Sequence, residues 1–99
     1  MNVEPENYAC VRAVITGRVQ GVSYRGWTVE TATKLGLLGW VRNRDDGAVE
    51  ALFAGPPAVV AQMLVACRSG PTAAQVEGVA IQPVVAPAGL AGFQQLATA

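Results

Sequence analysis

From Ala9 to Thr16 apolar and polar positions alternate. Val11, Ala13 and Ile15 fall on one face, Arg12 and Thr16 on the other. A period of two marks a half-buried strand. From Tyr24 to Leu35 the period lengthens, and Tyr24, Thr28, Ala32 and Leu35 share one face of a helix. Gly36 supplies its stop. Gly39 to Arg44 reads as a second strand, Asp45-Asp46-Gly47 as a hairpin turn, and Ala48 to Ala54 as the returning strand with Val49, Ala51 and Phe53 inward. Gly55-Pro56-Pro57 ends that strand. Val60, Met63, Leu64 and Cys67 then stand at i, i+3, i+4 and i+7, the stripe of a second helix closed by Ser69-Gly70-Pro71. A fourth strand is expected over Val76 to Gln82. A short edge strand is expected over Phe93 to Leu96.

The resulting order, β-α-β-β-α-β with a short last strand, predicts an α+β fold of the ferredoxin-like split βαβ type. Two helices would cover one face of a four- to five-stranded antiparallel sheet. The 99 residues suit one domain, taken as 9–99, behind a flexible tail over residues 1–8.

Composition supports this and narrows the partners. The chain is 52% hydrophobic and 14% charged, enough apolar material for a core. Net charge is zero, which gives no electrostatic case for nucleic acid or an anionic membrane. The acidic start, Met1 to Glu6, has no apolar run, so no signal peptide is expected. Nor does any segment approach the ~20 apolar residues of a membrane span. Cys10 and Cys67 form no spaced pair and read as reduced thiols of a cytoplasmic protein.

The chemistry concentrates in Gly17-Arg18-Val19-Gln20-Gly21-Val22-Ser23-Tyr24-Arg25, between the first strand and the first helix. Glycines allow a tight backbone there, and Arg25 stands where the helix begins. Amides at a helix N-terminus beside a guanidinium suit a tetrahedral oxyanion such as phosphate. Other phosphate chemistries lack their residues. There is no Gly-Lys-Ser/Thr run for a nucleotide loop, and neither cysteine has an arginine six positions on. With no histidine, the commonest general base and metal ligand are missing. What remains is electrophilic stabilisation and positioning. That chemistry fits an acyl phosphate, whose carboxylate leaving group needs no proton near neutrality. A phosphomonoester would need an acid or a metal for its alkoxide.

A second segment, Leu35-Gly36-Leu37-Leu38-Gly39-Trp40-Val41-Arg42-Asn43, brings an asparagine to the end of the second strand. Together with the first segment, with Asp46-Gly47-Ala48-Val49-Glu50, and with Gly55-Pro56 and Gly70-Pro71 flanking the second helix, it resembles the acylphosphatase family over about residues 9–82. The resemblance implies hydrolysis of carboxylic–phosphoric anhydrides by a monomer without metal, cofactor or covalent intermediate. Its partner would be a small-molecule acyl phosphate, not nucleic acid or membrane. It implies Arg25 on the phosphoryl oxygens and Asn43 orienting the attacking water. The backbone amides of Gln20, Gly21, Val22, Ser23 and Tyr24 would form the cradle. Gly17 and Thr28 are expected to stand behind these groups, the Thr28 hydroxyl, one turn after Tyr24, supporting Asn43 or Arg25 through hydrogen bonds. Ser23 stands where the family often has an aromatic residue or glycine, and the C-terminal segment lacks the family's usual arginine or aromatic ending. The rival reading is a non-catalytic anion-binding or interaction module on the same fold. Binding of single-stranded RNA to the open sheet face lacks the aromatics and basic excess it needs. On that face Arg12, Arg42, Arg44 and Glu50 are expected to form a solvated patch, and Trp27 and Trp40 to serve packing.

Overall fold

A computed structural model describes residues 8–99. The tail reading therefore lies outside the described residues except at Tyr8. Five strands and two helices follow in the order β1 (Ala9–Arg18), α1 (Tyr24–Lys34), β2 (Leu38–Asn43), β3 (Val49–Gly55), α2 (Pro57–Ser69), β4 (Gln75–Pro83) and β5 (Phe93–Gln95). They build one sheet of order β4-β1-β3-β2-β5. The fold is the expected ferredoxin-like α+β arrangement.

Each element follows from local chemistry. Helix α1 ends in a Schellman closure, with Gly36 N–H donating to Thr33 O and Leu37 N–H to Ala32 O. That turn drives Leu37 into the core, where it is 2% exposed. Helix α2 begins with proline in its first turn and ends on the Gly70 N–H donating to Ala66 O. The hairpin between β2 and β3 closes with Gly47 N–H on Arg44 O and Arg44 N–H on Ala48 O. Asp46 fixes it further by accepting from the Ala48 N–H and from Arg44 Nη2.

The core lies between the helices and one sheet face. Val11, Ala13 and Ile15 of β1, Val49, Ala51 and Phe53 of β3, and Val41 of β2 meet Tyr24 and Ala32 of α1 and Val60, Met63 and Cys67 of α2. Phe53 stacks on Phe93 with ring centroids 5.5 Å apart. Cys67 is buried here, whereas Cys10 alternates with core-facing Val11; both thiols are free. Among the described residues no helix is long and apolar enough to cross a membrane.

Three details depart from the sequence expectations. First, the β2–β5 pairing is parallel while the other three are antiparallel. β4 ends at the end of the sheet where β2 begins, and the chain crosses to the far edge there, so β5 starts level with the start of β2 and runs with it. Beyond Gln95 the segment keeps to β2: Leu96 N–H donates to Val41 O and Ala99 N–H to Asn43 O. Second, β3 is buried on both faces, with Glu50, Leu52 and Ala54 as enclosed as the inward set. It is the central strand, flanked by Arg12 of β1 and by Trp40 and Arg42 of β2. Third, the expected solvated patch is a closed ion cluster. Glu50, 4% exposed, accepts from Arg12 Nε and, at 2.7 Å, from Arg42 Nε. The Arg42 guanidinium also lies over the Trp40 ring, 4.8 Å from its centroid. Arg44 takes no part and pairs with Asp46.

Candidate functional site

Strand register brings the two informative segments to one end of the sheet. Val49, the first residue of β3, pairs with Ile15 of β1 on one side and Asn43 of β2 on the other. The loop after β1 and the hairpin after β2 therefore leave the sheet together, and α1 starts at the same end. Arg25 and Asn43 thus belong to segments sharing one end of the domain.

A bulge shapes the loop's approach. The β1–β4 register slips between Thr16 and Gly17. Gly17 there has φ +115°, and a Cβ on it would sit 2.2 Å from Gln75 O and 2.7 Å from the Glu77 nitrogen. Beyond the bulge Val19 is 1% exposed and Val22 packs against the core. Those two valines pin the loop from inside.

Its main chain then alternates in hand. Gly21 has φ +74° and Ser23 has φ +66°, while Val22 keeps a negative φ. Successive residues of opposite hand turn their N–H groups toward one concavity, the geometry known as an anion nest. Ser23 is the N-cap of α1, and its hydroxyl caps nothing. It is the one non-glycine residue with positive φ among the described residues. This backbone strain is of the kind that collects at binding loops. Between Gln20 and Arg25 no backbone N–H donates to another group of the described residues. Six consecutive donors thus lie at the positive end of a helix with no partner among the described residues. Arg25, in the first turn of α1 and half-buried, forms no ion pair with any described carboxylate.

Asn43 ends β2 at the same end of the sheet. Its Oδ1 is buried and accepts no hydrogen bond. Among the described residues it is the one buried side-chain polar atom without a partner, and such atoms are rare in folded proteins. Thr28, by contrast, spends its hydroxyl locally. It is fully buried and donates to Tyr24 O at 2.8 Å. Thr28 thus braces the first turn of α1, and among the described residues no hydrogen bond joins its hydroxyl to Asn43 or Arg25.

Two functions of this end were not read from the sequence. The Gln20 side chain crosses to the hairpin, and Nε2 donates to Arg44 O at 2.8 Å and Ala48 O at 2.9 Å. Local spacing points only to its amide, because nothing in it signals carbonyls so far along the chain. Tyr24 lies in the core beside Trp27, with ring centroids 5.3 Å apart, and donates to Cys67 O. Its place on the helical stripe signals burial, but not the hydroxyl's partner.

Unpaired amides, an arginine at a helix start and an open carboxamide thus lie on segments that meet at one end of a ferredoxin-like scaffold. Comparisons with known proteins identify the family. Residues 11–95 match the family model described as Acylphosphatase. The acylphosphatase of Rhodospirillum rubrum is 66% identical over 73 residues, covering 74% of this chain and 80% of that protein. Among solved structures, the acylphosphatase of Bacillus subtilis superposes with a TM-score of 0.84 at 33% identity, over 88% of this chain and 97% of that one. An acylphosphatase from Coxiella burnetii reaches 0.89 at 28% identity, over 97% of this chain and all of that one. This chain belongs to the acylphosphatase family, enzymes that hydrolyse acyl phosphates.

Proposed function

We propose that this end of the domain holds the phosphoryl group of an acyl phosphate in the Gln20–Tyr24 amides and the Arg25 guanidinium, while Asn43 directs the attacking water. The observation that carries this reading is the pairing of unsatisfied groups: donors from Gln20 to Arg25 on one side, the buried Asn43 Oδ1 on the other. Donors suit the phosphoryl oxygens, and the acceptor suits a water proton.

The chemistry asks little more. The water oxygen bonds to phosphorus as the bond from phosphorus to the bridging oxygen breaks. That electron pair leaves as a carboxylate, and the water's proton passes to the phosphate product. Charge spreads over the phosphoryl oxygens in the transition state, so preformed donors carry most of the stabilisation. Each charge-assisted bond is worth about 1.5–3 kcal/mol before ordering costs. An amide is no base, so the part of Asn43 is to hold the water in line and lower the entropic cost of attack.

The test is hydrolysis of benzoyl phosphate beside a phosphomonoester, with a chelator present. Benzoyl phosphate should turn over and the monoester should not. Arg25→Ala should lose at least ~10²-fold in kcat/KM, the cost of removing a principal oxyanion donor. Asn43→Ala should lower kcat far more than it weakens inorganic phosphate. Phosphate binding without turnover of any acyl phosphate would instead favour a non-catalytic anion-binding module.

A further inference from the structure

We propose that the Gln20 side chain is a positioning group that sets the separation between the phosphate cradle and Asn43. This rests on the reading of the site just given. The cradle and Arg25 lie on one connected unit, the β1–α1 loop and the first turn of α1. Asn43 lies on another, at the last position of β2 before the hairpin. No backbone hydrogen bond joins the Val19–Ser23 loop to the hairpin among the described residues. The link present is the Gln20 carboxamide, whose Nε2 donates to Arg44 O, next in sequence to Asn43, and to Ala48 O on the returning side.

Those two carbonyls flank the hairpin from its two limbs, and Arg44 N–H itself bonds to Ala48 O. The amide therefore caps a closed ring at the root of the turn. Both Nε2 hydrogens are used, so the link resists rotation as well as translation. Phosphate contacts come from the loop side alone and should survive its loss. The placement of water against phosphorus needs both sides in register, where a shift of about 1 Å can cost up to ~10²-fold in rate. Gln20 thus acts through Asn43, and its side chain need not touch the substrate.

A double-mutant cycle tests this. Gln20→Met keeps the shape and removes both donors. Gln20→Asn keeps the amide a methylene short and replaces the Met variant in the cycle if that one does not fold. With benzoyl phosphate, Gln20→Met should lower kcat by ~10-fold or more, while the competitive inhibition constant of inorganic phosphate stays within about 3-fold. In an Asn43→Ala background the same change should alter kcat by less than about 2-fold, since the group it positions is gone. Losses that multiply in the double variant, a phosphate constant that moves as far as kcat, or full kcat in the Gln20 variants would each overturn the proposal. If Asn43→Ala alone leaves kcat unchanged, the water-orienting reading fails first and takes this one with it. If only the cycle is additive, this proposal alone fails.

Discussion

The Tyr24 hydroxyl donates to the Cys67 carbonyl oxygen at 2.7 Å, tying the first residue of α1 to the last turn of α2. That carbonyl has no helical donor available, because the residue four positions on is Pro71, which lacks an N–H. Burial pushes the phenol's ionisation far up, so it remains a donor at any working pH. Tyr24→Phe leaves the carbonyl buried and unpaired. The expected cost is about 1–2 kcal/mol, read as a fall in melting temperature of roughly 4–8 °C per kcal/mol for a chain of this size. Well below that temperature kcat should change little, because the Tyr24 backbone amide is retained. An unchanged melting temperature would show that the hydroxyl is not what satisfies α2.

Glu50 makes stability sensitive to acid. Burial pushes its carboxyl upward, but the Arg42 and Arg12 hydrogen bonds and charges outweigh this and hold it below its ordinary value of 4.5. A depressed carboxyl contributes stability that is complete above the unfolded value. The contribution drains away as pH falls through the folded one. Wild-type stability should therefore decline from about pH 4.5 downward. Glu50→Gln should remove about 1–3 kcal/mol at neutral pH and flatten that decline. The figure is below the ~3–5 kcal/mol of a fully buried broken pair, because the Arg12 and Arg42 side chains remain 36% and 32% exposed. Urea melts between pH 3 and 7 on both proteins check the sign and the window.

The parts legible in the sequence are those whose signal is local. Alternation in β1, the Tyr24-Thr28-Ala32 stripe and the Val60-Met63-Cys67 stripe each bury the residues their spacing selects. The Gly17–Arg25 segment declared a strand-to-helix loop with donors to spare. What stayed illegible depends on long-range pairing. The closure of Arg12 and Arg42 on Glu50 needs β1, β3 and β2 to be adjacent, an order that alternation along one strand does not encode. The parallel direction of β5 depends on which edge the chain reaches after Pro83. The Gln20 bonds and the Thr28 hydroxyl's choice of Tyr24 O are likewise decided by packing, since several acceptors lie within a side chain's reach.

Gly17 is where loop and sheet constrain each other. An added Cβ would meet the Gln75 and Glu77 main chain, which cannot move away as a side-chain end could, and φ +115° disfavours any L side chain. Gly17→Ala should cost about 2–4 kcal/mol by strain and by parting β1 from β4. It should also weaken inorganic phosphate, because the bulge launches the loop of the proposed cradle. Gly21→Ala offers the contrast. Its φ is +74° but nothing lies within 4 Å of the added Cβ, so only the conformational cost applies, about 1–2 kcal/mol. Equal losses from both variants would argue against the steric account of Gly17.

The catalytic scheme invokes no protein group that changes charge near neutrality, and this gives a pH prediction. The chain has no histidine. Burial raises both thiols, Cys67 to about 11 and Cys10 above its ordinary 9.0, so neither becomes a thiolate in the working range. Asn43 has no charge to lose. Once the substrate's own ionisation is factored out, kcat/KM for benzoyl phosphate should vary by less than about 2-fold between pH 6 and 8. Initial rates across that range, set against the uncatalysed reaction in the same buffers, provide the measurement. A limb rising tenfold per pH unit would mean that a protein base takes the water's proton. The scheme in which the water's proton passes directly to the phosphate product would then fail.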